Sequence, residues 1–181
     1  MSNLDRHFRS QRAIELLSKG FRSPIVVIET NLSSSTVREM AKEISGGKRA
    51  SSGPLPSPNY FISSIAALTE ASIFVTCYRA IGGKDVLETI DVDVLTKAHE
   101  MYMEVRMQHP DHAKEHLDIN KCWVIARDLR SNMAWLRKCD EDACYYLLVE
   151  GQRVASTCPW CIARRTNKIA GRARAVAQPC H

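Results

Sequence analysis

No stretch of this 181-residue chain approaches the ~18 consecutive apolar residues that a membrane span needs, and MSNLDRHFRSQR at its start has no apolar core of the kind that marks a secretory signal. A soluble intracellular protein is expected. No Gly-rich phosphate loop appears, and none of the six histidines stands at motif spacing from a Ser or a Cys. Asp111-His112 and the Asp91/Asp93 pair read as turn and helix-start residues rather than acid–base machinery. An enzyme is therefore not expected. Cysteines number seven, an odd count that speaks against a disulfide framework. Acids are absent from residues 162–181, which carry five Lys/Arg, whereas residues 50–161 carry fifteen acids against eleven bases. An acidic centre between basic ends implies polyanion contact at the ends and another partner in the middle.

Two cysteine pairs lie within KCDEDACYYLLVEGQRVASTCPWC. A tetrahedral four-thiolate zinc site needs two closely spaced pairs joined by a loop that lets them converge, and Cys139, Cys144, Cys158 and Cys161 supply both. Tyr145 to Val149 is β-prone, Glu150-Gly151-Gln152 offers a turn, and Arg153 to Ser156 can return as a second strand, which together predict a zinc-ribbon hairpin. Cys158-Pro-Trp-Cys161 has the two-residue gap of a zinc knuckle, while the DEDA gap of the first pair is at the wide end of the range. Two other uses of the thiols stay open: a Cys-x-x-Cys redox pair, for which no βαβ pattern is visible upstream, and ordinary buried thiols.

Toward the N-terminus, RHFRSQRAIELLSKG carries an apolar stripe of Ala13, Leu16 and Leu17 and ends on a Gly suited to a C-cap. A short segment from Pro24 to Thr30 follows, and then a helix capped by Ser33 whose buried face is Val37, Met40, Ala41 and Ile44. Its opposite face shows Ser34, Ser35, Arg38 and Lys42. This pattern fits a helix-turn-helix, with Arg38 as a bidentate reader of guanine, and fits a plain helical hairpin with a solvated face equally well. Lys48 and Arg49 open the Gly/Ser/Pro-rich crossing GGKRASSGPLPSPN and are further candidates for phosphate contact.

The middle of the chain reads as helical. Residues 60–80 carry only Glu70 and Arg79 as charges and predict a helix buried on most sides. Residues 92–107 repeat Leu95, Ala98, Met101, Tyr102 and Val105, and from about 118 to 137 a further stripe runs through Cys122, Ile125, Ala126, Leu129, Met133 and Leu136. Trp123 and Trp135 are assigned to the core, and Cys77 and Cys122 act as small hydrophobes. The fold class is mainly α, with an N-terminal helix-turn-helix region over 1–49, a helical body and partner-binding region over 50–137, a four-cysteine zinc ribbon over 138–163 and a basic tail over 164–181. Arg164, Arg165 and Lys168 follow the ribbon without interleaved aromatics and read as phosphate contacts.

In that order, AIELLSKGFRSPIVVIETNLSSSTVREMAKEI, GPLPSPNYF, ASIF at 71–74, the helix around KAHEMYMEV, WVIARDL and the cysteines give a chain that resembles the FlhC family of flagellar transcriptional activator subunits over roughly residues 6–165. The resemblance implies assembly with FlhD, binding of promoter DNA upstream of flagellar operons, recruitment of RNA polymerase in the cytoplasm, and one zinc on four C-terminal cysteines. Those cysteines fall on Cys139, Cys144, Cys158 and Cys161, with the acidic, apolar-rich middle meeting FlhD. The family's first pair is Cys-x-x-Cys, so Cys144 is the weakest match, and Cys180 or His181 are the alternative donors. Two rival readings remain, a zinc-ribbon RNA-binding or ribosome-associated module and a thiol redox enzyme.

Overall fold

The computed structural model describes residues 3–47, 54–108 and 116–166. Among the described residues the elements follow in order: α1 Asn3–Ser18, α2 Ser23–Thr30, α3 Ser34–Ile44, α4 Pro58–Phe61, α5 Ile65–Gly82, α6 Val92–Gln108, α7 Ile119–Arg130, β1 Ala134–Lys138 and β2 Tyr145–Val149. Residues 159–166 form a further helix. The chain divides into two compact units, Met1–Pro56 with Asp118–Lys121, and Ser57–Leu117 with Cys122–His181.

In the first unit α1, α2 and α3 pack on one another around Ala13, Leu16, Phe21, Ile25, Val26, Leu32 and Val37. α1 ends in a Schellman motif, in which Gly20 adopts a left-handed φ of 87° while its N–H donates to Leu17 O (3.0 Å) and the N–H of Phe21 donates to Leu16 O (3.1 Å). The Asn120 side chain locks the turn that follows, accepting from Arg22 N (2.7 Å) and donating to Gly20 O (3.1 Å). Between α2 and α3 the chain reverses through Asn31 in the left-handed region, and the Ser33 hydroxyl then accepts from Thr36 N at 3.2 Å as the N-cap of α3. Val37 and Ala41 are buried as the spacing predicts, but Met40 is only half-buried and Ile44 is 44% exposed. The buried stripe of α3 is narrower than its sequence suggested because α3 is 11 residues long and Ile44 is its last.

The second unit is built on α5, which packs on α6 and β2. By length and composition α5 could cross a membrane, contrary to the expectation that no stretch approaches that size. Its packing accounts for its apolarity: Leu68, Ala71, Phe74, Val75 and Tyr78 are buried, and Phe74 meets Tyr102 edge-on. Glu70 is buried with them and paired with buried Arg106 (3.0 Å), while Tyr102 donates to it at 2.6 Å. Burial first, and then the bond to Glu70, hold the Tyr102 phenol well above its usual range.

Two corrections concern the residues after α7. The helix predicted to about 137 stops at Arg130, where Asn132 takes a φ of 58°, the N–H of Met133 reaches Asp128 O (2.9 Å) and that of Asn132 reaches Leu129 O (3.2 Å). Residues 134–138 are instead a strand, which leaves Trp135 46% exposed rather than in the core; Trp123 is buried. The second correction is to the hairpin itself. β2 pairs antiparallel with β1, with Ala134 opposite Val149 and Lys138 opposite Tyr145, and residues 153–156 form no strand. β2 is tied to its support by Leu147 N donating to Ser72 Oγ (3.1 Å), Asn59 Nδ2 donating to Glu150 O (3.0 Å) and Arg79 stacked over the Tyr145 ring.

Candidate metal centre

The unbroken apolar run of β2 is explained by what lies on its two faces. A strand alternates its side chains. Leu147 is buried beside α5, while Tyr146 and Leu148 form a small cluster with Cys139, Cys158 and Cys161, against which Cys144 and Trp160 pack. Cys139 and Cys144 flank the hairpin tip, where Cys139 N–H donates to Cys144 O at 2.7 Å and Ala143 N–H donates to Cys139 O at 3.0 Å. Four residues between the first pair are thus the loop of a β-hairpin, a common hairpin length, and the wide gap still sets the two cysteines opposite each other.

The second pair is positioned by a helix start. Pro159, fixed near a helical φ, follows Cys158, and Ile162 N–H donates to Cys158 O at 3.2 Å. Cys158 and Cys161, three apart, share a face of this turn. Cys139 and Cys161 sulfurs lie 3.4 Å apart and those of Cys144 and Cys158 3.9 Å apart. Metal–sulfur bonds of about 2.3 Å place tetrahedral sulfurs about 3.8 Å from one another, and both of these separations are close to that. The ligand atoms that all lie within 4.8 Å of one another are those of Cys139, Cys158, Cys161 and Asp142, with Cys144 reaching the group through Cys158.

The thiols respond unequally to this crowding. Burial raises Cys139, but backbone N–H groups of Asp142 and Glu141 outweigh it and bring the thiol below its ordinary value. Burial and then the neighbouring Cys158 push Cys144 up to about 11. Cys161 is pushed up by burial and then by Asp142, against which Arg164 acts. Asp142 itself is held below the usual carboxylate range, chiefly by Arg164.

The basic residues expected at a nucleic-acid surface fall in two places. Ser34, Ser35, Arg38 and Lys42 are all exposed on α3. Arg164 pairs with Asp142 and reaches Cys161 Sγ at 3.5 Å, and Arg165 pairs with Glu141 at 2.7 Å. Lys48, Arg49, Lys168, Cys180 and His181 lie outside the described residues. Sequence reading missed Asp142, whose signal was an acidic loop between two candidate ligands, and Arg137 and Lys138, exposed on the strand that leads into Cys139. Those two bases and Arg165 line an open cleft beside the thiols.

Among curated proteins the chain is similar to the flagellar transcriptional regulator FlhC of Sodalis glossinidius (strain morsitans), with 30% identity over 130 residues. That match covers 71% of this chain and 64% of the relative's length. The family described as flagellar transcriptional activator (FlhC) matches residues 3–176. By that match, which takes in the three N-terminal helices and both cysteine pairs, the chain belongs to the FlhC family of flagellar transcriptional activators.

Proposed function

We propose that this chain is the DNA-reading, zinc-holding subunit of a flagellar transcriptional activator, working with FlhD on promoter DNA in the bacterial cytoplasm and helping RNA polymerase to start. The observation that carries the reading is α3: a Ser33-capped helix, joined to α2 by a three-residue turn, that buries Val37 and Ala41 and exposes Ser34, Ser35, Arg38 and Lys42. We read α2 and α3 as a helix-turn-helix with α3 in the major groove, where the arginine fork of Arg38 matches guanine and Lys42 meets phosphate. Arg137, Lys138 and Arg165 supply phosphate contacts beside the hairpin, since the Arg165–Glu141 pair is exposed on both sides and exchanges for a phosphate at little loss.

Zinc on Cys139, Cys144, Cys158 and Cys161 is structural in this reading: four thiolates close the coordination sphere, and the binding energy becomes folding energy for the hairpin. The acidic middle stays the surface assigned to the partner, since Tyr60, Ile81, Met101 and Met107 are exposed there, and Leu4, Phe8 and Ile14 of α1 and Ile28 of α2 offer a second exposed apolar set. Co-expression with FlhD should therefore raise the yield of soluble protein. The deciding experiment titrates flagellar-promoter and scrambled duplexes with the complex at several salt concentrations. Preference for the promoter supports the reading, and equal binding of both duplexes refutes it. A thiol redox enzyme has one observation in its favour, Cys158 placed directly before a helix with Pro159 at its first position. Stoichiometric zinc in the purified protein decides against it.

A further inference from the structure

We infer that Arg164 is a positioning residue of the metal centre, held by Asp142 against the Cys161 sulfur to offset the negative charge of the thiolates, and is not a phosphate contact. The inference rests on the zinc reading of the four cysteines and goes beyond it, because Arg164 and Asp142 lie outside the four-thiolate set.

Four thiolates around a divalent ion leave two net negative charges, and Asp142 adds a third beside Cys161, to whose sulfur its Oδ2 stands at 3.2 Å. A carboxylate and a metal-bound thiolate at that distance repel one another unless a cation stands between them. Arg164 takes that place, one Nη2 serving both Asp142 Oδ2 and Cys161 Sγ (3.5 Å). Sequence builds the arrangement with little freedom. Asp142 sits on the hairpin turn between the first two cysteines, and Arg164 lies three residues after Cys161 on the same helix, on the same face. Arg165, one residue further, donates instead to Glu141. Groups hydrogen-bonded to metal ligands commonly change metal affinity 10- to 100-fold. The Arg164 side chain is 55% exposed, so the lower end, about tenfold, is expected, and its removal leaves the buried residues in place.

The test uses the full chain in complex with its partner and measures zinc transfer to a chromophoric chelator, together with the thiolate-to-metal charge-transfer band of the cobalt-loaded protein. Arg164→Ala should lose metal about tenfold more readily and shift the band, while Arg165→Ala matches wild type. Arg164→Lys should recover part of the loss, and adding Asp142→Asn to Arg164→Ala should recover most of it, because the uncompensated carboxylate is then gone. Wild-type protein that carries zinc, with Arg164→Ala holding it as tightly as Arg165→Ala, overturns the inference alone. A double variant as weak as Arg164→Ala also overturns it, since the loss would then be one of packing. Wild-type protein without zinc overturns the metal reading and the inference with it. On duplex DNA, zinc-loaded Arg164→Ala should keep the wild-type salt slope; a slope lower by about one returns Arg164 to the phosphates.

Discussion

α1 to α3 surround a set of buried aliphatic side chains, Ala13, Leu16, Ile25, Val26 and Val37 among them, whereas the hairpin tip gathers three buried cysteines around buried Tyr146 and Leu148, with Cys144 and Trp160 partly buried against them. The first region is held by removal of apolar surface from water, which needs no partner atom of a particular kind. The second offers too little such surface on its outer face. Thiols that converge from a hairpin and a helix start, with Asp142 beside them, form a group that could hold a metal ion and so offer a cross-link instead. On the zinc reading proposed above, the two regions depend on different conditions: one on side-chain volume, the other on metal and on deprotonated thiols.

Removing the metal should break the comparison most sharply. With excess chelator, or with Cys158→Ser, amide protection over residues 139–163 should fall to that of an open loop while protection over 13–41 stays at its original level. Hydrogen exchange read by peptide mass checks both segments at once, and a uniform loss would mean that the two regions are not independent. Next in size is the foundation of the hairpin. Glu70→Ala leaves Arg106 buried without its carboxylate and should destabilise the second unit by about 3 to 5 kcal/mol in denaturant titrations. Zinc should remain bound until that unit unfolds.

Leu16→Ala is the converse test. It opens a cavity among α1 to α3 and should destabilise them by about 2 to 5 kcal/mol, with metal content unchanged. Arg38→Ala should leave stability alone and weaken binding to the preferred duplex by about 1 to 3 kcal/mol, with preference among sites reduced. If it binds promoter and scrambled duplexes as wild type does, α3 is a structural helix. Smallest is Ser33→Ala, which removes the cap of α3 and should lower the stability of the first unit by about 1 kcal/mol without touching base preference.

Local signals carried some of the fold and failed at identifiable places. Ser33 as a cap, Gly20 as a stop, Asp91 at a helix start and the apolar wealth of residues 60–80, most of which became α5, could all be read directly, because each acts on neighbours within one or two turns. The end of α7 was misread for a physical reason. Leu129, Met133 and Leu136 keep helical spacing across the break, and the stop is made by Asn132, which tolerates the left-handed conformation less openly than glycine does. The partner of β2 was misread because a nearby segment, 153–156, offered an equal pattern, and strand pairing is settled by contacts far from either strand.

What the sequence determined by itself is therefore chemical and local: four cysteines in two pairs, a capped helix with Arg38 and Lys42 on one face, and a long apolar helix that needed cover. What tertiary structure decided is which groups meet. It put β1 rather than residues 153–156 beside β2, gave α5 an internal use for its apolar faces, and paired Arg164 and Arg165 with Asp142 and Glu141, more than twenty residues away. Apolar burial fixes how much surface must be hidden but has no direction. Directional bonds, such as Leu147 N to Ser72 Oγ and Arg164 to Asp142, choose among the arrangements that hide it, and they join residues too far apart in the chain for any local pattern to connect.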